Sequence, residues 1–173
     1  MENVLEEYLT PYKPPVKQLS DESFAEQKEV SDRILRCFIS YRFADPVVKQ
    51  IIDELTQFLS LIGVEATSGA GYEPRSIQDK VAERIRKNSD FTILLIDKNG
   101  ESFWTRDEIG MAKSIGSSII PVVENGADFF KGIYGDLEYI PFESGHIGDT
   151  FVKILQAIEY IKIKHVGTSG QIQ

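Results

Sequence analysis

From Leu35 onward the chain alternates short β-rich apolar runs with amphipathic helical stretches, and this alternation limits the possible folds more than any other feature. The run Phe91-Thr92-Ile93-Leu94-Leu95-Ile96 is nearly all apolar, as expected of a central strand covered on both faces. Leu35–Ser40, Val64–Ala66 and Ser118–Val123 are the other strand candidates, and Glu138–Phe142 is a short edge strand weakened by Pro141. Between strands, Val48, Ile51, Ile52, Leu55, Phe58, Leu59 and Ile62 recur at steps of three and four, with Pro46 suited to the first turn and Gly63 to the stop. Ile77, Val81 and Ile85 mark a second helix from about Ser76 to Lys87, Phe103 to Ile115 a third, and Phe151, Ile154, Leu155, Ile158 and Ile161 a closing one. The stretch from Asn125 to Gly135 fits neither period. Parallel neighbours need crossovers, which helices supply, so the fold class is α/β with helices on both faces of a parallel sheet.

The chain of 173 residues has room for one such domain and an appendage. Residues 1–33 form that N-terminal extension: acidic, interrupted by Thr10-Pro11-Tyr12-Lys13-Pro14-Pro15, and partly helical from Ser20 to Ser31. The domain then spans 34–165, and 166–173 reads as a flexible tail. With 27 Asp+Glu against 19 Lys+Arg, the net charge of −8 argues against a nucleic-acid surface, whose affinity comes mostly from Lys and Arg on phosphates. A single cysteine, Cys37, excludes an internal disulfide or a cysteine-based zinc site, and His146 and His165 lack metal-ligand spacing, so no metal is expected. The N-terminus carries Glu2, Glu6 and Glu7 where a secretory signal needs positive charge, and no run reaches the ~18 apolar residues of a membrane span. The expected location is the cytoplasm, away from membranes.

The chemistry concentrates in two loops. In a flavodoxin-like five-stranded sheet of order 2-1-3-4-5, ligands bind beyond the carboxyl ends of strands 1 and 3, where the crossovers leave on opposite faces. The loop after strand 1 is Ser40-Tyr41-Arg42-Phe43-Ala44-Asp45, and the loop after strand 3 enters the helix bearing Trp104 and Glu108. At about 100° per residue, Glu108 lies only about 40° from Trp104, among Met111, Ala112 and Ile115. A carboxylate on an apolar face either has a partner or borders a cleft, because an unpaired buried charge is costly. Arg42 suits a phosphate, Tyr41, Phe43 or Trp104 a flat ring, and Glu108 a developing positive charge. Packing alone is the competing account of each aromatic. Gly69-Ala70-Gly71 lacks a P-loop ending and reads as a mobile loop, Arg84, Arg86 and Lys87 as a solvated helix end, and Cys37 as a buried thiol without chemistry. A phosphoacceptor receiver shares this strand order and Asp97 follows strand 3, but Ser40-Tyr41-Arg42 stands where that fold needs an acidic pair to hold magnesium.

Arg36-Cys37-Phe38-Ile39-Ser40-Tyr41-Arg42 resembles the first strand and loop of the TIR (Toll/interleukin-1 receptor and resistance protein) family. Phe103-Trp104-Thr105-Arg106-Asp107-Glu108-Ile109 resembles its Trp-x-x-x-Glu element, and Gly63 to Ser76 its second strand and BB loop, here rich in glycine. The match runs from about Leu35 to Phe142 and most resembles the prokaryotic-type, NAD+-cleaving members. It implies a catalytic Glu108, a substrate site formed with Ser40, Tyr41, Arg42, Phe43 and Trp104, and no cofactor, NAD+ being the substrate. It also implies cleavage of the nicotinamide–ribose bond to give ADP-ribose or a cyclic isomer, self-association with other TIR domains, and a place in immune-defence signalling. Many relatives are non-catalytic adaptors that bind other TIR domains, and in that case Glu108 is structural.

Overall fold

The computed structural model describes residues 34–43, 45–71, 73–128 and 137–169. The expected helix from Ser20 to Ser31 and most of the stretch from Asn125 to Gly135 lie outside them. The chain divides between Asp32 and Arg33, and every described element belongs to the second unit.

Five strands, β1 (Leu35–Ser40), β2 (Val64–Ser68), β3 (Phe91–Ile96), β4 (Ser118–Glu124) and β5 (Ile140–Phe142), form one sheet in the order β2-β1-β3-β4-β5. Every neighbouring pair is parallel, with Ile39 opposite Ser68 on one side and Ile93 on the other. This is the flavodoxin-like α/β arrangement that the alternation implies. The helices among the described residues are α1 (Pro46–Leu61), α2 (Ile77–Asn88), α3 (Phe103–Ser114) and α4 (Gly148–Ser169). Asp45 caps α1 by accepting from Val47 N at 2.8 Å with Pro46 in the first turn, and Ser102 caps α3 through Thr105 N at 3.1 Å. Helix α4 runs to Ser169, past the expected start of the tail at 166, because Gly167 interrupts a helix without ending it when residues on both sides continue.

Period-two alternation sorts the core. Cys37, Ile39, Phe91, Ile93 and Leu95 face the layer of α1 and α4, where they meet Ile51, Leu55, Leu59, Ile154 and Ile158. Phe38 points the other way and packs with Val81 and Ile85 of α2 and Ala112 of α3, while Leu94 and Ile96 pack on Ile109. Residues of even number in β1 and β3 therefore face α2 and α3. This parity decides which side chains at the carboxyl edge of the sheet reach the site.

Candidate active site

Ser40 ends β1 with the same parity as Phe38, so its hydroxyl faces α3 and donates to Oε2 of Glu108 at 2.5 Å. Glu108 is 7% exposed and sits on the buried face of α3 with Thr105, Ile109 and Ala112. The helix is thus turned slightly from the sequence expectation: Ile115 lies outward and Trp104 is half exposed over the site. The apolar stripe of α3 is short, and contact with Leu94, Ile96 and Phe38 fixes its rotation. Burial pushes the Glu108 carboxyl up to about 7 from its ordinary 4.5; the Ser40 hydroxyl pulls down and neighbouring Asp107 pushes further up.

Two cavities meet at this carboxylate, sharing Ile77, Val81, Trp104 and Glu108 in their walls. One, of about 570 Å³, runs between α2 and α3, with Arg86, Asp79 and Asp107 among its charged walls and Met111 among its apolar ones. The other, of about 480 Å³, lies under the loop from Gly69 to Arg75 and is bordered by Phe43, Glu73, Arg75 and Lys80. Counting Glu108 in both, the first has three carboxylates against one cation and the second two against two. The first lobe, net acidic, suits a group with positive charge, and the charges of the second balance.

Of the residues expected in a substrate site, Phe43, Trp104 and Glu108 line the cleft and Ser40 reaches it through its hydrogen bond. Tyr41 does not: with odd parity it turns to the opposite face and is buried among the α1 and α4 side chains, its ring edge still 4.5 Å, centroid to centroid, from Phe43. Arg42, in the loop beyond the strand end, lines neither lobe. Cys37 is fully buried, and burial pushes its thiol far up, which removes it as a nucleophile.

Sequence reasoning missed the cations of α2. Lys80 is 5% exposed and its Nζ donates to Gly71 O at 2.6 Å. Arg84, expected in a solvated helix end, instead donates through one terminal nitrogen to Ser68 O and, at 2.8 Å, to Ala70 O. Its other terminal nitrogen meets Glu73 Oε1 at 2.6 Å. The glycine-rich loop, read from its composition as mobile, is tied to α2 by these hydrogen bonds. The signal was the spacing of four between Lys80 and Arg84, which places both on one helix face.

No known family model and no curated protein matches this sequence. Solved structures do. A CMP N-glycosidase from Clostridium botulinum, BcmB, is 22% identical with a TM-score of 0.54, covering 69% of this chain and 97% of its own. A 2-deoxyribosyltransferase from Bacillus psychrosaccharolyticus is 16% identical with a TM-score of 0.51, covering 67% and 95%. The TIR domains of the Roq1 resistosome, in a complex recognising the effector XopQ, are 20% identical with a TM-score of 0.46, covering 53% and 58%. At these identities the likeness to the first two is one of fold, a parallel sheet of this size wrapped by helices on both faces.

Proposed function

We propose that this protein cleaves the N-glycosidic bond between ribose and a nitrogen base, with NAD+ as substrate. The products are nicotinamide and ADP-ribose or a cyclic isomer of it. The observation that carries this reading is the buried Glu108 carboxylate at the junction of two lobes, held by Ser40 and overhung by Trp104.

When the bond breaks, its electron pair leaves with nicotinamide and quenches the pyridinium charge, so the positive charge moves to the ribose. An ionised Glu108 beside that sugar stabilises the charge as it develops, and low exposure strengthens the interaction. Water then adds to the sugar carbon and loses a proton, giving ADP-ribose, or an adenine nitrogen adds and closes a ring. The acidic lobe between α2 and α3 suits the cationic nicotinamide, and the second lobe, whose charges balance, offers room for the rest of the dinucleotide. Glu108 must be ionised, so kcat/KM rises with pH through about 7. Bound pyridinium favours the charged form, so the corresponding limb of kcat lies at lower pH.

A nucleoside monophosphate is the second reading, favoured by the raised Glu108 carboxyl. A neutral base such as cytosine leaves more readily when protonated, and a carboxyl near 7 can give that proton. One of the structural neighbours is named a CMP N-glycosidase. The pH dependence separates the two: NAD+ cleavage rises through pH 7, whereas CMP cleavage by a protonated Glu108 falls.

Self-association and immune-defence signalling belong to the same proposal and rest on the TIR-like motifs around Ser40 and Trp104. The test is nicotinamide release from NAD+ by concentrated protein, with and without a crowding agent, beside Glu108→Gln and with CMP in parallel. Release that the substitution abolishes supports the NAD+ reading. Cytosine release alone moves the substrate to the mononucleotide, and no release of either base returns the chain to the adaptor reading.

A further inference from the structure

Gly69, in the loop after β2, lies against Glu108. A Cβ placed there would stand 3.3 Å from Glu108 Oε1, 3.5 Å from the Phe43 ring and 3.6 Å from Val81, so the bare backbone fits where a side chain would press on the carboxylate. The carbonyls on either side of Gly69, those of Ser68 and Ala70, both accept from the same nitrogen of Arg84. The guanidinium also binds Glu73, further along the loop, while Lys80 one turn earlier holds Gly71 O. Arg84 has no contact with Glu108 among these, and its hydrogen bonds reach that carboxylate only through the loop.

We propose that Arg84 is a positioning residue whose clamp on Ser68 and Ala70 keeps Gly69 against Glu108, and that this contact sets how far water reaches the carboxylate. The planar fork suits the role: one guanidinium serves two carbonyls and a carboxylate, which a single ammonium cannot do in the same geometry. The raised Glu108 carboxyl is what a closed loop should produce, since its first cause is burial. Opening the loop lets water in and lowers the midpoint. Deleting the Arg84 charge without moving the loop does the reverse, because it removes a nearby cation. The two effects differ in sign. The other charged groups bordering the carboxylate are Asp107 on α3, Asp79, Lys80 and Arg86 on α2, and Glu73 and Arg75 in the loop; Ser40 is the neutral partner from β1. The catalytic consequence rests on the proposed glycosidic cleavage, but the structural claim is read without turnover.

The experiment is a carboxyl-carbon NMR titration of Glu108 in the full chain, assigned with Glu108→Gln, for wild type, Arg84→Lys, Arg84→Gln and Lys87→Gln. Lys87→Gln removes a charge from the same helix at an exposed residue that faces Glu83, 3.8 Å away. The expected result is a midpoint lowered by about one unit or more in both Arg84 variants and unmoved in Lys87→Gln. Arg84→Lys keeps the charge and serves alone if Arg84→Gln does not fold. A midpoint unchanged or raised in Arg84→Lys overturns the proposal. Where NAD+ is cleaved, the acid limb of kcat/KM moves down with the titration; if no base is released by any variant, the function falls while the titration still decides the role of Arg84.

Discussion

Glu108 and Glu124 are equally little exposed, each 7% near the carboxyl edge of the sheet, but Glu108 lies deeper in the protein, and their acidities move in opposite directions. Burial pushes both up. At Glu124, Ser144 donates at 2.5 Å, Lys98 N at 2.9 Å, and the Lys98 ammonium lies 3.4 Å away, which together outweigh burial and hold the carboxyl below its ordinary value. Glu108 has one hydroxyl from Ser40 and the charge of Asp107 beside it. Surface exposure alone does not distinguish a structural carboxylate from one able to change protonation near neutral pH; depth and the supply of donors together do. Glu124, at the end of β4, ties the loops after β3 and β5 together, while Glu108 keeps a side turned to the cleft.

The sharpest way to break this contrast is to neutralise each carboxylate. Glu108→Gln should reduce NAD+ cleavage by about 10²- to 10³-fold, and Glu124→Gln should leave it within about threefold, measured as nicotinamide release. Equal losses would erase the distinction.

Stability should respond the opposite way. The Glu108 carboxyl is raised in the folded chain, so its contribution is fully present below about 4.5 and is lost as pH rises through about 7. Glu108→Gln should therefore stabilise the fold at pH 8 by up to about 3 kcal/mol, a gain that disappears below pH 4.5. Glu124 is held low, so its contribution is present above the ordinary carboxyl range and lost as pH falls through its folded value. Glu124→Gln should cost about 1–3 kcal/mol at neutral pH, because an amide cannot accept from every donor it inherits. Urea unfolding as a function of pH measures both.

The serines provide a finer comparison. Ser40→Ala removes the hydroxyl that holds the Glu108 carboxyl down, so the acid limb of kcat/KM should move to higher pH, with about a tenfold loss at pH 7. Ser144→Ala should cost about 1 kcal/mol of stability and leave that limb in place. The smallest effect tests the lobe itself. Gly110 lines the cavity between α2 and α3, and nothing lies within 4 Å of where its Cβ would stand. Gly110→Leu should raise KM for NAD+ several-fold by occupying that space, while helix propensity raises stability by about 0.5–1 kcal/mol. A KM unchanged in steady-state assays would remove this lobe from the substrate path.

The strands and the four described helices were legible because their signals are local. Phe91 to Ile96 is buried on both faces, and Val48 to Leu59 keeps one face through about three turns. Trp104 and Glu108 were legible as a pair because four residues make little more than one helical turn. The division between Ser40 and Tyr41 was also latent in the strand period: Phe38 and Ser40 share one face and Tyr41 takes the other. Choosing the face that looks onto the site required knowing where α3 packs.

By itself the sequence determined the α/β class, a parallel sheet and the two candidate loops, because periodicity is local and parallel neighbours need helical crossovers, whereas the order β2-β1-β3-β4-β5 belongs to the assembled sheet. Only the tertiary structure decided that Glu108 takes its hydrogen bond from Ser40 and meets no cation among the described residues, that Tyr41 belongs to the core, and that Lys80 and Arg84 grip the loop around Gly69. Those outcomes depend on groups far apart in the chain, such as Ser40 and Glu108, whose separation in space is set by packing across the sheet. Solvation and hydrogen bonding act over a few ångströms, so the acidity of a side chain is fixed only when its neighbours are in place.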